Sequence, residues 1–314
     1  MKFTMILMLL LFLQLSHIDS KPIKPVIGIF GNSEPENGDE EYLNGTYYPI
    51  SYIYWLESGG AEVMAIQYWY SFEEIDEILR KINGILFLGG VRDFSRNGTW
   101  ETKARYVIEK SLNDSIPFWG TCQGFQLIGT LLSDNFTLLS VGIFKDHNVL
   151  HNLELTENGK KSDMFKFFTP YEFDLLENTN STIYNHQSGF LPDEYNKDPK
   201  LKELTIVTSN ALDTKGKEFI NTFEGRKNKF YAVQFHPEKN PFKRIIKYYV
   251  EQNMEALIVS QKLLFNFIQD AKNNKNKFKE EEKDKYDFFD TYRGTKNAIY
   301  NKSIEQFFFY KREK

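Results

Sequence analysis

The stretch Ile116-Pro117-Phe118-Trp119-Gly120-Thr121-Cys122-Gln123-Gly124-Phe125-Gln126 constrains this chain more than any other. Its first four residues read as a short buried strand. The run from Gln126 to Leu132 reads as a helix. Between them lies Gly-x-Cys-x-Gly, the pattern of a nucleophile elbow with sulfur in place of oxygen. The glycines leave room for a tight strand-to-helix turn that larger side chains would block. Such a turn holds a thiol at a helix N-terminus, where the dipole and the first N–H groups favour a thiolate and can stabilise an oxyanion on a substrate. The alternative is a buried free cysteine acting as a small core residue. The flanking glycines and the strand-to-helix setting favour the nucleophile.

The rest of the first half alternates strands with helices. Val26 to Phe30 is an apolar run expected to be a buried strand. Ile50 to Ser58 has a helical pattern stopped by Gly59-Gly60, and Ala61 to Ile66 is a second strand. Ser71-Phe72-Glu73-Glu74 opens, with a capping box, a helix expected to reach about Lys81. Gly84 to Leu88 is a third strand ending in Gly89-Gly90, Trp100 to Leu112 a helix, and Pro117 to Gly120 a fourth strand. This order predicts an α/β fold, a mostly parallel central sheet with helices on both faces. Active sites in such sheets lie beyond the carboxyl ends of the strands, where both Cys122 and Gly89-Gly90 fall. The second half is β-rich, with strands at Leu204–Ser209, Glu218–Glu224 and Phe230–Phe235 and a helix from about Pro241 to Asp270. The charge run Lys272–Lys285 reads as a solvated helix end or linker. The aromatic segment after it, with Gln306-Phe307-Phe308-Phe309-Tyr310, is expected to pack back on the domain.

The first twenty residues stand apart. A basic Lys2, the apolar run Met5–Leu13 and Ser20 describe a secretory signal peptide (residues 1–20), although an N-terminal core strand or an uncleaved anchor is the competing reading. The run is too short to span a bilayer and no later stretch approaches one, so no membrane role is expected. Asn-x-Ser/Thr triplets at Asn44, Asn97, Asn113, Asn135, Asn180 and Asn301 fit a glycoprotein of the secretory route, bound for a lysosome, a vacuole or the outside. The chain has 314 residues, a single cysteine and a net charge of −4. That charge gives no reason to expect nucleic acid. A lone thiol in an oxidising compartment, where disulfides are the usual use of cysteine, is a thiol kept for its chemistry.

Five histidines are available. His17 lies in the signal region. His147 and His151 lie in a loop after Cys122, with a spacing that would suit one helical face, but no further ligand completes a metal site; both read as surface residues, and no metal is expected. His236 ends a strand, and Pro237 fixes the turn that lets Glu238 fold back toward its ring. Cys122, His236 and Glu238 thus supply a nucleophile, a base and a group to orient the base. His186 lies in the polar stretch Tyr184-Asn185-His186-Gln187-Ser188-Gly189. Spacing alone leaves it either a second active-site histidine or a plain turn residue.

Gly120-Thr121-Cys122-Gln123-Gly124-Phe125-Gln126 together with Gln234-Phe235-His236-Pro237-Glu238 resembles the glutaminase domain of class I glutamine amidotransferases. Within that superfamily the γ-glutamyl hydrolase branch is similar to Pro25–Ile29, to Tyr47-Tyr48 with Ser51-Tyr52 and Leu56–Ala61, and to Ile82–Phe87 with Gly89-Gly90. The likeness runs from about Pro25 to Asp270, giving a domain over residues 21–271 and a charged extension over 272–314. It implies a Cys122–His236–Glu238 triad, an oxyanion hole from the backbone N–H groups of Gly90 and Gln123, and His186, Tyr47 and Ser51 at the substrate. It implies hydrolysis of γ-glutamyl amide bonds in pteroyl poly-γ-glutamates through a thioester, with no cofactor, and it is compatible with a homodimer. Two departures are Leu88, where the family often has proline, and Gln126, where some members carry glutamate; the second bears on substrate contacts. The rival readings are a glutaminase domain serving a synthase and a catalytically inactive secreted binding protein.

Overall fold

Continuous apolar runs suit strands covered on both faces, and the first half of the chain builds such a sheet. The computed structural model describes residues 24–32, 45–242, 253–289, 299–301 and 306–311. The expected signal peptide lies outside the described residues. The strands are β1 (Val26–Phe30), β2 (Gly45–Pro49), β3 (Glu62–Ile66), β4 (Gly84–Phe87), β5 (Phe118–Thr121), β6 (Asp146–His151), β7 (Glu154–Leu155), β8 (Thr182–His186), β9 (Thr205–Leu212), β10 (Glu218–Gly225), β11 (Phe230–Val233), β12 (Ile299–Asn301) and β13 (Gln306–Lys311). The helices are α1 (Ile50–Ser58), α2 (Phe72–Leu79), α3 (Thr99–Asn113), α4 (Gln123–Ser133), α5 (Pro170–Asn178), α6 (Pro192–Lys197), α7 (Pro199–Leu204), α8 (Lys239–Phe242) and α9 (Met254–Asn273).

The main sheet has eight strands in the order β3-β1-β4-β5-β11-β10-β9-β7. The pairings from β3 through β11 are parallel, and those from β11 through β7 antiparallel. Alternation sorts side chains to two cores. Ile27, Ile29, Leu86, Trp119, Tyr231 and Val233 face one side, with Ile53, Trp55 and Leu56 of α1 and Leu263, Leu264 and Phe267 of α9. Phe30, Ile85, Phe87, Phe118, Phe230 and Ala232 face the other, with α2, α3 and α4. Each large side chain buried this way contributes about 1.5–3 kcal/mol. The cross-strand pair Phe118–Phe230 stacks at 4.7 Å between ring centroids.

Several expectations change. The Ser71 capping box forms as expected, with Glu74 N–H on Ser71 Oγ, and the helix ends at Leu79. The long helix begins at Met254 rather than near Pro241; residues 243–252 lie outside the described residues. His147 and His151 lie on a strand rather than in a loop, because β6 pairs with β8 in a two-stranded sheet. His151 is half-buried against Asp146, at 3.2 Å, while His147 is exposed. The charge run is not simply solvated: Lys283 bonds Glu62 of β3 at 2.5 Å and Lys81 bridges Glu282 at 3.0 Å. Beyond it, Ala65 and Phe289 exchange backbone bonds with Asp287 and Val63, carrying the chain along the β3 edge. β13 pairs with β2, and Phe308 and Tyr310 are buried.

Candidate active site

Three neighbouring strand ends, those of β4, β5 and β11, converge on one cavity of about 380 Å³. Its walls include Gly90, Cys122, Gln123, Gln126, His186 and His236.

Cys122 joins β5 to α4 with φ at +51° and ψ at −104°, a backbone region that costs a non-glycine residue on the order of 1–3 kcal/mol. The strained residue is therefore the cysteine itself. The glycines serve close approach instead. A Cβ on Gly120 would sit 2.8 Å from the Gly124 carbonyl, and one on Gly124 would collide with the Phe87 carbonyl of β4. The turn is tied down by Cys122 N–H donating to Val233 O at 2.8 Å, while Cys122 O accepts the first helical bond, from Gln126 N–H at 3.0 Å. The sulfur lies 3.6 Å from Gln234 Nε2 and 4.0 Å from Asn185 O.

His236 follows β11. Its backbone N–H donates to Ile183 O of β8 at 2.8 Å. Its Nδ1 lies 2.7 Å from Oε1 of Glu238, a carboxylate fully buried from solvent. A carboxylate only accepts, so Nδ1 carries the proton and Nε2 is left to act as a base. The Tyr52 hydroxyl is 3.5 Å from the same Nδ1 and accepts the Gly89 N–H at 2.9 Å. Pro237 O accepts from Ser260 Oγ at 2.6 Å, and Trp55 Nε1 donates to that hydroxyl at 3.1 Å, so α1 and α9 brace the His-Pro-Glu turn. A Cβ on Gly89 would lie 2.9 Å from His236 Cε1 and 3.4 Å from Cys122 Cβ. The Cys122 Cβ and the edge of the His236 ring thus both border the space that Gly89 leaves open, and both residues line the cavity.

Gly90 and Gln123 are held together. Asn32 Nδ2 donates to Gln123 Oε1 at 2.9 Å, and Gln123 Nε2 donates to Arg92 O at 2.6 Å. A Cβ on Gly90 would strike Asn32 Nδ2 and come 2.5 Å from Gln123 Oε1, so only glycine fits there. Gln123 is the first residue of α4, where backbone N–H groups precede the helical ladder. Gly90 and Gln123 both line the cavity beside Cys122.

His186 closes β8 rather than sitting in a turn, and is 5% exposed. Its Nδ1 donates to Ser188 O at 3.0 Å, and its Nε2 faces Asp146 Oδ2 at 3.5 Å. Burial would push the Asp146 carboxyl up. The neighbouring His151 and His186 imidazoles and a hydrogen bond from the Thr214 N–H outweigh it and hold Asp146 well below the usual carboxylate range. Tyr47 and Ser51 are buried and are not among the cavity's walls. The Tyr47 hydroxyl would be 3.2 Å from a Cβ on Gly90, which makes it a support of that loop. Sequence reasoning missed Tyr52, Asn185, Gln234 and Asp146. Gln234 could have been found from its place in Gln-Phe-His-Pro-Glu; an isolated acid such as Asp146 carries no local signal. Among the described residues no group of three or more His, Cys, Asp or Glu could hold a metal ion.

The parallel sheet and its elbow are those of the class I glutamine amidotransferases, and the family model "Glutamine amidotransferase class-I" matches residues 49–251. The glutaminase domain of a Trypanosoma brucei CTPS has a similar fold, with a TM-score of 0.53 over 82% of this chain and 98% of that one at 14% identity. Within that class the similarity narrows. A mouse γ-glutamyl hydrolase is 35% identical over 70% of this chain and 68% of its own. The human γ-glutamyl hydrolase is 30% identical over 86% of each, and γ-glutamyl hydrolase B of Dictyostelium discoideum is 29% identical over 89% of this chain and 81% of its own. The chain belongs to the γ-glutamyl hydrolase family.

Proposed function

We propose that this protein is a cysteine hydrolase of γ-glutamyl amide bonds, with pteroyl poly-γ-glutamates as the substrate class. The observation that carries the reading is a cysteine on an elbow and a histidine whose Nδ1 is held by a buried carboxylate, both lining one cavity. The Cys122 thiolate attacks the γ-carbonyl, and the N–H groups of Gly90 and Gln123 receive the negative charge on oxygen. The C–N bond then breaks as the His236 imidazolium gives its proton to the leaving amine, which departs, and a thioester remains. Water attacks the thioester while His236 takes its proton. The C–S bond breaks, releasing the γ-carboxylate and regenerating the thiol. Glu238 stabilises the imidazolium without itself accepting the proton. Removing one oxyanion donor in such a centre costs about a hundredfold or more in kcat.

No metal or organic cofactor has a step in this scheme. The reading places the protein in the secretory route, in a lysosome or vacuole or outside the cell. The sequon residues Asn97, Asn113, Asn135 and Asn180 are all exposed, which suits glycan attachment there. The test is incubation with a pteroyl oligo-γ-glutamate and, separately, with free glutamine. Shortened pteroyl products with little ammonia support the hydrolase; ammonia from glutamine alone supports a glutaminase; neither product overturns both.

A further inference from the structure

The Cys122 sulfur touches a side-chain amide that the scheme above does not use. Gln234 is fully buried and places Nε2 3.6 Å from Sγ. Its Oε1 lies 3.2 Å from Nε2 of Gln126, and the same Gln126 nitrogen is 2.7 Å from Ser188 O. Which end of an amide is nitrogen follows from its partners. Ser188 O is a backbone carbonyl and can only accept. It therefore turns the Gln126 NH₂ toward itself, and that group also donates to Gln234. The Gln234 oxygen must then face Gln126, which leaves its NH₂ on the sulfur. One carbonyl on the β8 side of the cavity thus fixes the sense of the hydrogen bond at the thiol two side chains away.

We propose that Gln126 and Gln234 form a positioning relay that keeps an N–H donor on the Cys122 sulfur, so that residue 126 decides whether the hydrogen bond favours thiolate or thiol. A donor on sulfur favours the thiolate; a carbonyl oxygen in its place accepts from S–H and favours the neutral thiol. Glutamate at 126 could only accept. It would repel Ser188 O, draw the Gln234 NH₂ toward itself and turn the Gln234 oxygen onto the sulfur. The relay rests on the reading of Cys122 as nucleophile. The other titratable or charged groups around the thiol are His236, with Glu238 and Tyr52 behind it; Arg92 and Asp93 of the loop after Gly90; and His147 and His186, with Asp146 behind His186. None of them is altered in the variants below.

Because the chain has one cysteine, iodoacetamide labelling reads this thiol alone. The labelling rate is measured from pH 4 to 9 in the folded unsubstituted protein, in Gln234→Met, in Gln126→Glu and in the double variant. Gln234→Met should move the midpoint up by about one pH unit, slowing labelling about tenfold on the acid side. Gln126→Glu should move it further, since it inverts the donor and adds a charge. In the Gln234→Met background the same glutamate should have a clearly smaller effect, because the amide it acts through is gone. Gln126→Met, which removes the donor without adding charge, replaces Gln126→Glu if the latter does not fold. A midpoint unchanged in Gln234→Met, or effects of 126 and 234 that simply add, would overturn the relay. Labelling is independent of substrate, so the two readings separate. Coupled midpoint shifts without γ-glutamyl turnover would keep the relay and sink the hydrolase; turnover with unmoved midpoints would do the reverse.

Discussion

Gly89→Ala tests whether the thiol and the imidazole react across the gap between them. A methyl at this position would start 2.9 Å from His236 Cε1, 2.7 Å from the Tyr52 hydroxyl and 3.4 Å from Cys122 Cβ. Ordinary contacts begin near 3.4 Å, so the ring must retreat by about 0.5 Å. The Tyr52 hydroxyl must shift as well, although it accepts the Gly89 N–H and lies 3.5 Å from His236 Nδ1. The neighbours are side chains, so the fold can yield; overpacking of this kind costs about 1–3 kcal/mol. Chemistry is less tolerant, since a misplacement near 1 Å can cost about a hundredfold. The expected result is a fall in kcat of about 10- to 100-fold on a γ-glutamyl peptide, with KM nearly unchanged. Circular dichroism and a melting curve on the same preparation establish that the variant is folded. Unaltered kcat in a folded variant would refute the argument, because the base would then be acting from somewhere other than this gap.

Cys122→Ala should abolish turnover while leaving binding and melting temperature nearly intact, and His236→Ala should fall almost as far; Glu238→Ala should lose less, so a glutamate variant worse than the histidine variant would reverse the assigned roles. His186→Asn should lower turnover by more than the unfolded fraction accounts for, measured well below the melting point, although it also leaves Asp146 with one imidazole fewer. Burial, partly offset by the Met164 and Asp163 N–H groups, raises the Glu224 carboxyl to about 6 from its ordinary 4.5. The native state therefore binds more protons than the unfolded chain between those values, and stability falls by about 2 kcal/mol as pH rises through the window. Glu224→Gln should flatten that slope in urea midpoints taken from pH 4.5 to 7. Asp146 has the opposite sign, and its contribution is lost only at lower pH.

The parallel half of the fold was legible because strands covered on both faces must be apolar throughout, and Val26–Phe30, Gly84–Phe87 and Phe118–Trp119 are. The elbow and His-Pro-Glu were legible because each is a local device with its own turn chemistry. β2 and β13 were not, since Tyr47–Tyr48 and Phe307–Phe309 become strands only by pairing with each other across most of the chain. The β6–β8 pair was missed for a different reason. Asp146 and His186 are polar residues made tolerable in the interior by one another, and no window of sequence shows both. That is why spacing alone left His186 open between an active-site histidine and a turn residue, and why His147 and His151 read as surface residues of a loop.

The site takes Gly90, Cys122 and His236 from the segments that follow three adjacent strands at the centre of the sheet, bonded rung to rung through Leu86–Trp119 and Trp119–Tyr231. Central rungs open only with the whole cooperative unit, whereas loops and edges open early. Cys122 and His236 are moreover tied by their backbone N–H groups to Val233 and Ile183, so the reactive geometry is coupled to those rungs. As urea is raised, inactivation should follow the same curve as loss of Trp119 burial, and the residual activity of a partly denatured sample will count its native molecules.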